Sequence, residues 1–314
     1  MTASSYEIVA PIEHRDTFPC FGSECTVIVC DRREAQAAAG VALARRRLLE
    51  WHSQFSRFQP SSELSRLNAD PRETVPVSPM LRRVVELGVR AAQATDGLVD
   101  PTLGAEIERA GYATHLPAEG VPLGAGLALA PPRATGAAAP SAGWRRVEVD
   151  RRAGTVTRPR GVKLDLGGIA KGAFADELAA TLGGYGAFAI DCAGDIRLGG
   201  TDQTLRDVHV ASPFDGSTVH TFALAAGAIA TSGIGKRSWL ASDGLPGHHL
   251  LDPRTGAPAF TGIVQVTALA PRAAEAEGLA KAALLSGPLK ARRWLAHGGA
   301  IVLDDGSCEV TEPR

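Results

Sequence analysis

Leu164-Asp165-Leu166-Gly167-Gly168-Ile169-Ala170-Lys171-Gly172-Ala173-Phe174-Ala175-Asp176 is the stretch on which the fold turns. It runs from a predicted strand, Val162–Leu166, through two glycines into a helix predicted over about Ile169–Leu182. A turn of this kind lets backbone N–H groups approach an anion, and the helix N-terminus adds favourable partial charge. Lys171 can then supply a point charge to a diphosphate. The segment contains neither GxGxxG nor GxxxxGK[ST], so neither a dinucleotide-fold fingerprint nor a P-loop fits. Taken alone, a packing turn followed by a solvated lysine stays open.

Working outward, strands are predicted at Cys25–Cys30, Arg145–Asp150 and Thr155–Arg158. In the C-terminal half they are predicted at Phe188–Cys192, Asp207–Ala211, Val219–Ala223, Ala228–Thr231, Ile263–Leu269 and finally Ala300–Leu303. Helices are predicted over Glu34–Phe58, Pro79–Thr95 and Ala273–Leu285, with another from Pro288. Strand clusters separated by helices, without regular βαβ alternation, predict an α+β fold rather than a parallel doubly wound one. Trp51, Phe55 and Phe58 fall at i, i+4, i+7, a stripe read as core packing rather than a ligand shelf. Residues 117–143, mostly Ala, Gly and Pro, are expected to form a peripheral surface excursion, flexible or disordered, that takes no part in catalysis.

The 314 residues carry Lys+Arg 33 against Asp+Glu 34, a net charge of −1. That balance offers no footprint for nucleic acid or an acidic membrane. No run of about 18 apolar residues predicts a membrane span. Met1–Glu7 shows neither a basic n-region nor an apolar h-region, so no export signal is expected and a cytoplasmic location is. The five cysteines lack CxxC spacing and are expected to be reduced, mostly buried thiols.

Two further segments carry Asp-Pro turns: Asp96-Gly97-Leu98-Val99-Asp100-Pro101-Thr102 and His248-His249-Leu250-Leu251-Asp252-Pro253-Arg254-Thr255-Gly256. A turn accounts for the Asp-Pro pairs; adjacent histidines beside an aspartate suit a polar cleft. Asp252 is read either as holding the turn or as polarising a histidine.

In order along the chain, these segments resemble the ApbE family, the FAD:protein FMN transferases. The resemblance is carried by Phe21-Gly22-Ser23, Ser61–Asn68, Gly97–Thr102, Asp165–Asp176 and Gly194-Asp195-Ile196, then by Thr231-Ser232-Gly233, His249–Gly256 and the helix at Glu277–Gly287. It covers about residues 20–287 and implies one domain over the whole chain, a two-lobed, T-fold-like α+β architecture of mixed, largely antiparallel sheets with flanking helices. It implies FAD as substrate, held by Phe21, Leu98, Val99, Asp100, Asp165, Lys171 and Leu251, and an acceptor flavoprotein bearing a target threonine. Catalytic roles fall to Lys171, His249 and Lys281, and metal ligation, with Mg²⁺ as the family's ion, to Gly168 and Glu277. The chain departs from the family's ligand helix: Glu277 stands for an aspartate, Ala280 removes an oxygen, and Lys281 replaces a ligand threonine. An ammonium cannot ligate magnesium. Glu277 and Lys281 are either an ordinary i, i+4 ion pair or a substitution in which the lysine stands in the metal's place. An FAD pyrophosphatase and a non-catalytic FAD-binding protein remain alternative activities for the same site.

Overall fold

A computed structural model describes residues 11–115, 120–241 and 243–313. Met1–Glu7 and residues 117–119 of the Ala/Gly/Pro-rich segment lie outside the described residues. The framework is an eight-stranded sheet: β1 (Ile12–Cys20), β2 (Ser23–Asp31), β3 (Ala187–Cys192), β4 (Asp195–Gly199), β5 (Gly227–Gly233), β6 (Ile263–Ala270), β7 (Gly299–Leu303) and β8 (Cys308–Thr311). Spatial order follows chain order, and each neighbouring pair is antiparallel. This is the α+β, antiparallel architecture expected from the sequence.

Four helices matter to the site: α1 (Glu34–Phe55), α2 (Pro79–Ala94), α3 (Ala170–Leu182) and α4 (Ala273–Ser286). α2 starts at Ser78, whose hydroxyl accepts the Leu81 N–H at 3.2 Å, with Pro79 where a missing N–H costs nothing. α3 and α4 are apolar nearly all round and fill one side of the large sheet, as buried helices must. The opposite side is covered by the hairpin Arg206–Ala211/Thr218–Leu224. Alternation along β3 sends Ile190 into the main core and Ala189 toward the hairpin side. A small three-stranded sheet (Thr74–Pro76, Thr155–Thr157, Glu148–Asp150) packs with α2 into the second part of the fold, and one continuous core joins the two.

The two central helices cap one another. Asp176 of α3 accepts the N–H groups of Ala273 (2.9 Å) and Ala274 (3.1 Å) at the start of α4. Glu277 of α4 returns the bond, accepting the Gly172 N–H in the first turn of α3 at 3.0 Å. Gly172 permits the approach: a Cβ there would lie 2.6 Å from the Ala273 backbone.

Several predictions need correction. Val162–Leu166 forms no strand. Its backbone is held instead by the Asn68 amide, which donates to the Leu164 carbonyl and accepts its N–H (both 2.8 Å), and by Asp165 N–H to Pro101 carbonyl at 2.8 Å. Arg145 and Arg146 lie in a 3₁₀ turn, leaving only Glu148–Asp150 as strand. β1 and β4 were not predicted, and β8 follows the strand taken as last. Residues 120–143 run over the surface but are tied to the body. They include a helical turn at Leu123–Ala128, and Ala134, Gly136 and Ala137 donate to the Phe260 carbonyl, the Leu285 carbonyl and Asp252. Four of the five free cysteines are buried. Among the described residues no helix is long and apolar enough to cross a membrane.

Candidate active site

Two tight turns bring the sheet's end to the site. Phe21-Gly22, between β1 and β2, and Ala193-Gly194, between β3 and β4, each have positive φ at both residues, the conformation of two-residue hairpins. The register Cys25↔Cys192 puts both turns at the same end of the sheet. Phe21 lines a cavity with about 1390 Å³ of space, open solvent included, and Asp195, just after the second turn, meets the cavity residue Lys171.

One half of the cavity is aromatic. Phe174 of α3 stacks on Trp51 (5.1 Å between ring centres), Phe21 (5.5 Å) and Phe55 (5.6 Å). Phe58 continues the wall against Tyr112 at 5.2 Å. Trp51 and Phe55 of α1 pack on Phe174, Phe55 within the main core, as expected, and with Phe58, just past the helix end, they also border the cavity, which the core reading did not foresee. Arg57 lies in the same wall, its guanidinium over Phe58 (4.2 Å) and Tyr112 (4.5 Å) and its Nε 3.1 Å from Asp165.

The other half is ionic. Lys171, buried at the start of α3, hydrogen-bonds Asp195 and stands 3.5 Å from Glu277. Glu277, fully buried, accepts from Lys281 at 3.1 Å through the same oxygen, Oε1. Burial opposes the charge of Lys171, but Asp195 and Glu277 win and raise its pKa. Burial also opposes the Glu277 carboxylate, yet Lys281, Lys171 and the Gly172 N–H hold it down to about 2. Asp195 goes the other way: burial, with Glu277 beside it, pushes it up, against the pull of Lys171. His249 lines the cavity near these cations. Burial first, then Arg237, His248 and the lysines, keeps its pKa well below the usual imidazole value, so the ring is neutral at neutral pH.

The seven residues expected to hold FAD, from Phe21 through Leu98, Val99, Asp100, Asp165 and Lys171 to Leu251, all line this cavity. So do Gly168, His249 and Lys281; Glu277 lies just behind the wall. His248 is elsewhere, buried against Phe260 at 4.8 Å and held to about 3 by burial. Asp252 holds the turn, accepting from Arg254 (3.1 Å) and Ala137 (2.8 Å), and polarises no histidine. The sequence reading missed Arg57 and Arg237 as site residues and left Asp195 without a role. Arg57 sits one position from an aromatic of the stripe, a signal within reach. Arg237, at φ 55 after Thr231-Ser232-Gly233, had none. Four buried side-chain atoms of residues in or beside the cavity lack a hydrogen-bond partner: Asp100 Oδ2, Arg57 Nη2, Asp195 Oδ1 and His249 Nδ1.

The residues present do not fit a divalent cation at Gly168 and Glu277. Both Glu277 oxygens are already engaged, Oε1 by two ammonium groups and Oε2 by the Gly172 N–H. Lys281 lies over the glycine turn, its Cε 3.4 Å from where a Gly168 Cβ would stand. Among the described residues no three Asp, Glu, His or Cys side chains converge as a metal cage would require.

The chain matches the ApbE family over residues 21–303. It belongs to that family. A relative from Rhodobacter capsulatus named FAD:protein FMN transferase is 29% identical over 309 residues, covering 94% of this chain. This ApbE-family chain spans only 56% of that relative's length. The crystal structure of the ApbE protein from Thermotoga maritima superposes with a TM-score of 0.75 at 25% identity, covering 96% of this chain and 97% of that one. The flavin transferase ApbE from Vibrio cholerae has the same fold, with a TM-score of 0.72 at 22% identity over 97% and 98% of the two chains.

Proposed function

We propose that this chain is an FAD:protein FMN transferase, moving FMN from FAD onto a threonine of an acceptor flavoprotein and releasing AMP. The observation that carries the proposal is one cavity with an aromatic wall on one side and two lysines on the other, Lys171 buried and Lys281 largely so. Stacked rings suit a planar heterocycle, and lysines suit the diphosphate that joins its two nucleotide halves. The names of the relatives point the same way.

In this reading the FAD-binding residues are Phe21, Leu98, Val99, Asp100, Asp165, Lys171 and Leu251, and Arg57 and Arg237 join them as cavity cations. The acceptor threonine Oγ attacks the phosphorus on the riboflavin side. The new P–O bond forms as the bond to the bridging oxygen breaks, and AMP leaves with that oxygen. His249, neutral and with an unpartnered Nδ1, takes the hydroxyl proton. Lys171 and Lys281 offset the charge that spreads over the phosphoryl oxygens. The test is mass spectrometry of a candidate acceptor incubated with this protein and FAD. Covalent FMN on threonine is the expected product. Free FMN and AMP in equal amounts, without modified acceptor, would establish hydrolysis instead, and intact FAD a binding protein.

A further inference from the structure

We infer that the Lys281 ammonium takes the place of a divalent cation at the diphosphate of the flavin dinucleotide, so that this chain binds and cleaves FAD without a metal. The inference rests on the FAD reading above. The i, i+4 pair of Glu277 and Lys281 is no ordinary surface pair: Glu277 is 0% exposed and the Lys281 side chain 12%. An exposed pair would be dispensable, whereas a buried carboxylate needs its partners.

Glu277 here serves as a hub rather than as a ligand. Its Oε1 holds Lys281 at 3.1 Å and Lys171 at 3.5 Å, and its Oε2 holds the first turn of α3. A cation entering at this carboxylate would have to displace an ammonium and then find further oxygens. Ala280, one residue before Lys281, is buried and offers none. Magnesium moreover keeps several waters and gives them up reluctantly, which suits a buried hub poorly.

The cluster attracts an anion without a metal. Lys171, Lys281 and Arg237 stand against Asp195 and Glu277, leaving an excess of positive charge at a cavity wall that both lysines reach. Fixing two lysines on one carboxylate holds them apart at a set spacing, in the manner of a two-point clamp for adjacent phosphoryl groups. Lysine binds phosphate as a point charge and needs no planar partner.

The test is FAD titration of the full chain, followed by flavin fluorescence, in EDTA and in excess Mg²⁺. The two dissociation constants are expected to agree. FAD cleavage in the presence of acceptor is likewise expected to survive EDTA. Lys281→Met is expected to weaken FAD by about tenfold to a hundredfold in both buffers, the span of one charge-assisted hydrogen bond. Riboflavin, which has no phosphate, should bind that variant as it binds the wild type, and Lys281→Arg should keep FAD affinity. FAD binding or cleavage lost in EDTA and restored by Mg²⁺ would overturn the inference while leaving the FAD reading intact. So would Lys281→Met binding FAD like the wild type. If neither FAD nor riboflavin binds in any buffer, the FAD reading falls and takes the inference with it. The wild-type comparison needs no variant, so a folding defect in Lys281→Met does not blunt the test.

Discussion

Gly172→Ala tests the junction on which the ionic half of the cavity is built. The added methyl would lie 2.6 Å from the Ala273 carbonyl carbon and oxygen and from the Ala274 nitrogen. Carbon contacts settle near about 3.5–4.0 Å, so α3 and α4 must part by roughly 1 Å at their closest point. Backbone lies on both sides, so no side chain can swing away. Overpacking of this kind costs about 1–3 kcal/mol. Parting the helices also stretches the Asp176 and Glu277 bonds, and a lost cap costs about 1 kcal/mol more. Alanine's better helix propensity returns about 1 kcal/mol. The net expectation is a loss of about 1–3 kcal/mol, read as a lower urea midpoint at unchanged slope. FAD affinity should fall with it, since Lys171 adjoins the displaced residue. Gly184→Ala is the control, because a methyl there meets nothing within 4 Å. A Gly172→Ala midpoint at or above that of the wild type would refute the close-approach argument.

Three further outcomes are expected. His249→Ala should lower the transfer rate by about 10²–10⁴, the usual share of a general base, with much less change in FAD affinity; single-turnover kinetics beside FAD titration will show whether the split appears. Burial depresses the folded-state pKa of His248 to about 3, so the unfolded chain binds the extra proton first and stability is lost as pH falls from about 6.5 toward 3. Between pH 7 and 5 the wild type should therefore lose about 2 kcal/mol more than His248→Phe, a difference that unfolding midpoints at the two pH values will give or deny. Asp252→Ala removes the acceptor of the Ala137 and Arg254 N–H groups and should cost about 1–3 kcal/mol. Because Leu251 adjoins it in the cavity wall, FAD titration should also show weaker binding, and unaltered affinity would mean the wall keeps its shape without that turn.

What the sequence disclosed depended on how local the cause was. The Lys171 turn and the start of α2 at Pro79 are set by neighbouring residues, and they could be read directly. β1 was hidden because Glu13, His14, Arg15 and Asp16 look like a charged loop. It is an edge strand, paired on one side only and largely exposed, so charge there costs little. Val162–Leu166 looked like a strand because its residues suit one, but Asn68 supplies the bonds a neighbouring strand would have made. The aromatic stripe of α1 has the same spacing whether it meets packed side chains or an open cavity. Here it does both: the rings pack on Phe174, far along the chain, and border the cavity beside it. The joining of Asp195 and Glu277 through Lys171 depends on pairing across the sheet and on the crossing of two helices, and no local pattern announces it.

The adjacency of β2 and β3 has a consequence for assembly. All of β3 pairs with Cys25–Cys30 of β2, yet residues 32–186 emerge between them. A growing polypeptide that has reached Leu182 already carries Trp51, Phe55, Phe58 and Lys171, but it lacks the acidic partners that seat the lysine. Its ionic half waits for a seam that closes late, and such distant pairing is slow to form. Under the proposed function, FAD held by Phe21 and Lys171 from before the seam and by Leu251 from after it would act as a staple, its binding energy added to the work of reopening the fold.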